Sequence, residues 1–190
     1  MSFTVMGTYP KAASIGAEHT PVLVRPLLPE DATALAEFFR RIPEEERYYL
    51  KEDVTAPEVI ENWASNINYD RVVPLVAVID DRIVADATLH RHRSGARRHV
   101  GEIRVVVDPE YRHRGLGTLM VREAIDIAYD NAMESVILEL VVGEEDEAIR
   151  MAERLGFTRW ATLPNYAKDL EGNAHELAVL GLVLDRWLEW

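Results

Sequence analysis

The chain has 190 residues, 48% apolar and 28% charged, which suits one globular domain and is short for two. Its formal charge of −12 argues against non-specific binding to nucleic acid or anionic membrane, and the absence of cysteine excludes disulfides, zinc–thiolate sites and thiol nucleophiles. No apolar run approaches the ~20 residues that cross a bilayer and residues 1–8 carry no signal-peptide pattern, so the expected address is the cytoplasm.

Residues 1–20 are small and polar without a sustained period, and are expected to form a flexible tail before a single domain over 21–190. Residues 22–26 form a short strand. Pro29, Glu30 and Asp31 then open a helix, because proline and acids suit a first turn. Ala32, Leu35, Phe38, Phe39 and Ile42 recur at helical spacing behind them. A second helix covers about 56–66. Residues 74–79 and 83–90 alternate like strands around an Asp80-Asp81 turn, and a second hairpin with Ser94-Gly95 near its tip returns along 100–107.

Residues 115–131 form an amphipathic helix. Leu116, Leu119, Met120, Ala124, Ile127 and Ala128 make its buried stripe, with Arg122, Glu123, Asp126 and Asp130 outward. Residues 136–142 are nearly all apolar, so that strand is covered on both faces. Residues 146–155 are helical with Gly156 as the cap. Strands over 157–163 and 175–184 follow, joined by a long loop with a turn at 169–173. The order is that of an α/β (α+β) mixed sheet with helices on its faces.

The informative stretch is 105–118. A strand ends at Val107, a proline turn follows, and Gly115 and Gly117 open the long helix. The first amides of a helix have no internal partner and its dipole adds about half a positive charge, so this end is an anion site. Arg112 and Arg114 flank it with donors suited to phosphate. A Rossmann dinucleotide turn fits poorly: Met120 stands where a third glycine belongs, and seven residues separate Val107 from Gly115. A plain surface turn with basic neighbours is the blander alternative.

The segment Val107-Asp108-Pro109-Glu110-Tyr111-Arg112-His113-Arg114-Gly115-Leu116-Gly117 resembles the acyl-CoA-binding signature of the GNAT superfamily of N-acetyltransferases. The helix ending in Leu155-Gly156-Phe157 resembles that family's second landmark, and the element order from 22 to 184 fits. The resemblance implies a GNAT fold of about six to seven strands with a splayed central pair and helices on both faces. It also implies direct acetyl transfer from acetyl-CoA, without a metal, to an amine such as a protein lysine. The diphosphate would sit on Arg112, His113, Arg114, Gly115, Leu116, Gly117 and Thr118. The pantetheine arm would lie along Val105, Val106 and Val107. The motif is nearest to the bacterial protein-lysine acetyltransferase branch. A small-molecule amine acetyltransferase and a non-catalytic acyl-CoA sensor are the alternatives, and a homodimer is allowed. The negative charge itself leans toward a cationic acceptor.

A protonated amine cannot attack a thioester, and a lysine of pKa near 10.4 is neutral in about one molecule per several thousand at pH 7. A positioned base is therefore needed. By resemblance that base is Glu102, five residues before Val107; the alternative is that Glu102 pairs structurally with Arg104. The tyrosine many relatives use as acid is replaced by Ala152, and a common asparagine by Glu145. Tyr166 is then the substitute acid, with a packing role as its alternative, and water can protonate a thiolate this weakly basic. By analogy of fold, Asp169 and His175 line the acceptor side. The basic block 90–99 reads as a solvated hairpin tip or as a cradle for an acidic acceptor or the 3′-phosphate. His90, His92 and His99 have no nearby acidic ligand, so no metal site is expected. Trp63, Trp160, Trp187 and Trp190 read as packing residues.

Overall fold

The computed structural model describes residues 8–92 and 94–185. Its strands are β1 (Lys11–Ile15), β2 (Thr20–Pro26), β3 (Val72–Ile79), β4 (Arg82–Arg91), β5 (Val100–Val107), β6 (Ser135–Val141), β7 (Thr158–Lys168) and β8 (Ala174–Val183). They form one mixed sheet in the order β1-β2-β3-β4-β5-β6-β8-β7. The helices are α1 (Ala32–Arg41), α2 (Glu44–Arg47), α3 (Pro57–Ser65), α4 (Leu116–Asp130) and α5 (Asp146–Arg154). The described residues therefore carry 8 strands, one more than the upper expectation. No helix among them is long and apolar enough to cross a membrane.

Local chemistry accounts for most of these elements. Asp80 and Asp81 both take positive φ, 48° and 61°, the geometry of a tight hairpin turn between β3 and β4. The stripe of α4 buries Leu116, Met120, Val121, Ala124, Ile125, Ile127 and Ala128 against one sheet face. On the opposite face α1 and α3 bury Phe38, Phe39 and Ile60 against Val76 and Ile83. Helices thus cover both faces, as the apolar central strands require.

The additional strand corrects the reading of residues 8–20 as tail. β1 pairs with β2 from Lys11↔Val24 to Ile15↔Thr20, and Ile15 is buried. Tyr9 Oη and Lys11 Nζ each donate to Glu123 Oε2 at 2.7 Å, which turns that supposedly outward residue of α4 into an anchor. Residues 1–7 lie outside the described part, as do Arg93, Trp187 and Trp190.

β5 and β6 are the parallel pair, and they meet only at Val100↔Ser135, Gly101↔Val136 and Glu102↔Ile137. Beyond Glu102, β5 stays with β4 as far as Val107↔Ala85, while β6 stays with β8 as far as Val141↔Leu177. The two strands therefore diverge and leave a wedge. Gly101 at the closed end makes room for neighbouring side chains, since a Cβ there would lie 2.8 Å from both Leu89 Cδ1 and Met133 Sδ and 3.3 Å from Val136 Cγ1.

Candidate active site

Asp108 ends β5 and organises the turn that follows. Its buried carboxylate accepts from Glu110 N at 3.1 Å, Arg41 Nε at 2.7 Å and Arg82 Nη2 at 3.0 Å. Burial alone would raise its pKa, yet these donors hold it below the ordinary value. Past the Pro109–Tyr111 turn, His113 and Gly115 take φ of 58° and 82° and deliver the chain into α4. Leu119 N donates to Gly115 O at 3.0 Å, so Leu116, Gly117 and Thr118 present amides with no partner inside the helix. A Cβ on Gly115 would meet nothing within 4 Å, and the residue is needed there for its left-handed conformation.

The two flanking arginines behave differently from one another. Arg112 grips Glu46 of α2 through both terminal nitrogens, at 2.7 and 2.6 Å, and its Nε donates to Val107 O at 3.1 Å. It ties the turn to α2 rather than reaching outward. Arg114 lies over the Tyr111 ring, 5.6 Å from its centroid, with its carbonyl accepting from Gly16 N at 2.9 Å. Arg112→Met is expected to cost about 0.5–1 kcal/mol of stability, the range of a partly exposed pair. A double-mutant cycle with Glu46→Gln checks this by equilibrium unfolding, and purely additive costs would refute the pairing.

Two cavities open on the wedge. The first, about 670 Å³, is lined by the turn and the end of β5 on one side and by Glu144, Glu145, Ala148 and Met151 on the other. Of the residues expected to hold the carrier, Val105, Val106, Val107, Arg112, His113, Gly115, Leu116, Gly117 and Thr118 line it, and Arg114 does not. The second, about 790 Å³, lies on the α1/α3 face of the sheet. Its floor includes Asp86, Thr88 and His90 of β4, Glu102, Arg104 and Val106 of β5, and Glu139 of β6, beneath Phe39, Lys51 and Trp63. Leu50 and Val106 line both cavities, so the two meet there.

Glu102 sits at the point where β5 and β6 part, but its carboxylate is engaged. Lys51 Nζ and Arg104 Nε each donate to its Oε1 at 2.7 Å, and Lys51 also reaches Glu139 Oε2 at 2.7 Å. Burial pushes its pKa up, but the two cations outweigh that and bring it down to about 2. The pairing with Arg104 is thus present, and the geometry makes Glu102 a weak base.

Tyr166 belongs to edge strand β7, where the register shifts between Leu163 and Ala167, rather than to a long loop. It is 66% exposed and lines neither cavity. Asp169 and His175 also line neither cavity; they pair with each other at 3.1 Å beside the β7–β8 turn. Ala152 is fully buried in α5. Glu145 caps β6 instead, its Oε2 accepting from Val141 N at 2.7 Å, and burial raises its pKa.

The sequence reading passed over Asp86, Lys51 and the α2 segment. Asp86 had a visible signal, since it is the single charged residue within the run 83–89. Lys51 had none, because its partners are distant in sequence. His90 faces the same cavity and bonds Thr88 Oγ1 at 2.9 Å. Burial and then the Arg104 charge lower its pKa to about 4, so it is neutral at pH 7.

A diverging parallel pair whose first strand runs into an anion-binding helix end defines the acyl-carrier cleft of an acetyltransferase fold. Residues 34–157 match the Acetyltransferase (GNAT) family, and the chain belongs to that family. It is 31% identical over 94 residues to the L-amino acid N-acetyltransferase AaaT of Escherichia coli (strain K12), covering 49% of this chain and 57% of that protein. It is 26% identical over 80 residues to YwnH of Bacillus subtilis (strain 168), a candidate phosphinothricin acetyltransferase, covering 42% and 48% respectively. The chain spans about half the length of these curated relatives. Among solved structures, a GNAT-family acetyltransferase from Streptococcus pneumoniae superposes with a TM-score of 0.76 at 22% identity, covering 85% of this chain and 99% of that one. The yncA protein from Salmonella typhimurium, solved with its cofactor acetyl-CoA, superposes with a TM-score of 0.73 at 20% identity, covering 86% and 94%. At these identities the likeness is one of fold.

Proposed function

We propose that this protein transfers acetyl from acetyl-CoA to the amine of a small acceptor that carries an anionic group. The observation that carries the reading is the meeting of the two cavities at Val106, one headed by unpartnered helix amides and the other rimmed by cations. The diphosphate of the thioester rests on the amides of Leu116, Gly117 and Thr118, and the pantetheine arm runs along β5 into the wedge. The acyl carbon then comes to Val106, where an amine entering from the second cavity attacks it.

The charge of the second cavity selects the acceptor. Arg104 lies two residues from Val106, and Arg71 and Arg97 line the far rim with no ion pair among the described residues. An amine at Val106 with its acid group toward these guanidiniums satisfies both ends. AaaT and YwnH are named for L-amino acids and phosphinothricin, both amines that carry an acid group. A protein lysine lacks that second group.

A screen of L-amino acids, amino phosphinates, polyamines and lysine peptides, read by CoA release, tests the assignment. Acidic small amines are expected to be the best acceptors. Arg97→Met is expected to raise their KM several-fold with little change in acetyl-CoA affinity. Turnover restricted to lysine peptides or uncharged amines would transfer the assignment to those acceptors.

A further inference from the structure

The Asp86 side chain has no structural partner in the fold. It is 7% exposed, at the centre of β4, and its carboxylate makes no hydrogen bond or ion pair among the described residues. Its cross-strand neighbours, Val76 on β3 and Val106 on β5, are both apolar. A carboxylate buried without a partner is costly, and such a group is retained where it serves a ligand. Asp86 lines the acceptor cavity, directly across from the residue at which the two cavities meet. Cross-strand neighbours stand about 5 Å apart at Cβ.

Resting on the acetyl-transfer reading, we propose that Asp86, not Glu102, is the catalytic base that receives the acceptor's proton. An acceptor ammonium loses two protons on becoming an amide. The first passes to an Asp86 oxygen and then to solvent, which frees the nitrogen lone pair. That pair forms the C–N bond at the thioester carbon, and the C–S bond breaks as the CoA thiolate leaves. The second proton leaves the nitrogen and reaches the thiolate through water, giving CoA thiol. No oxidant, metal or covalent enzyme species is required.

The local electrostatics agree with this geometry. Burial pushes the Asp86 carboxyl up to about 7. The charged and titratable groups around the same cavity are His90 and Arg91 on β4, His92 and Arg97 between β4 and β5, Glu102 and Arg104 on β5, Glu139 on β6, and Lys51 and Glu52 between α2 and α3. Arg71 stands at the rim before β3, and α1 contributes only Leu35 and Phe39. None of these contributes to the shift, whose cause is burial alone. An ammonium of pKa near 10 is about three powers of ten more reluctant to protonate such a base than the reverse; against a base of about 2 the gap is about eight powers.

The test is a pH–rate profile of kcat/KM, with the best acceptor from the amino-acid screen, for the wild type, Asp86→Asn and Glu102→Gln. The wild type is expected to show an acid limb near pH 7. Asp86→Asn is expected to lose that limb and about 10²–10⁴-fold in kcat, with calorimetric acetyl-CoA affinity kept. Glu102→Gln is expected to keep the limb. A limb and rate retained in Asp86→Asn, or a limb lost only in Glu102→Gln, overturns the role of Asp86 and leaves the acetyl-transfer reading intact. A wild type that binds acetyl-CoA yet acetylates no amine overturns both.

Discussion

Gly117→Asp is expected to abolish acetyl-CoA binding while leaving the protein as stable as before, or slightly more so. The two effects have opposite signs for one reason: the amino end of α4 attracts negative charge. A carboxylate supplied by the chain interacts favourably with that end by about 0.3–1 kcal/mol. A Cβ at this position meets only Val107 Cγ2, at an ordinary 3.6 Å, so the backbone need not move. The same carboxylate occupies the amides and repels a diphosphate. Losing two charge-assisted bonds, each about 1.5–3 kcal/mol, removes at least about 100-fold in affinity. Calorimetric titration with acetyl-CoA, together with thermal unfolding of the free protein, reads both quantities. Unimpaired binding in a stably folded variant would place the carrier elsewhere.

Asp86→Asn has a second large consequence, for stability and its dependence on pH. Burial raises the folded pKa from 3.8 to about 7. Between those values the native state binds more protons than the unfolded chain, so the wild type loses stability as pH rises through the window. At about 1.4 kcal/mol per factor of ten in proton affinity, the full penalty above pH 7 is on the order of 4 kcal/mol. An asparagine carries no such penalty, and its unpartnered amide costs about as much as the unpartnered neutral carboxyl it replaces, about 1–3 kcal/mol each. The variant is therefore expected to be about as stable as the wild type near pH 4 and more stable above pH 8. Denaturant unfolding at the two values measures the difference. A stability difference independent of pH would mean that Asp86 is ionised with an ordinary affinity.

Much of this architecture was legible because its signals are local. The apolar period of α4, the Asp80-Asp81 turn and the glycines of the anion turn each act within a few residues of themselves. β1 was not legible, because Lys-Ala-Ala-Ser-Ile has little strand character of its own. It is held by β2 and by Glu123, which its sequence does not announce. α2 has four residues, too few to show a helical period. A loop was expected after residue 163, yet β7 runs on to Lys168, and an edge strand accommodates Pro164 at a bulge.

The candidate site divides in the same way. The proposed carrier side was readable because a strand end and a helix end build it, and glycines mark them. The proton-transfer side was not, because a carboxylate's basicity is set by its neighbours in space. Glu102 carried the resemblance, but Lys51 and Arg104 quench it. Asp86 carried no motif, and only its position between Val76 and Val106 distinguishes it from a surface acid.

The contact between Gly16 and the Arg114 carbonyl has a consequence for how the protein comes into being. Synthesis proceeds from the amino end, so β1 is made long before the ligand turn it braces. The brace must wait for about a hundred further residues to emerge, and the turn meets it only on closing a long loop. Changes around Gly16 thus bear on the shape of a proposed ligand turn made about a hundred residues later.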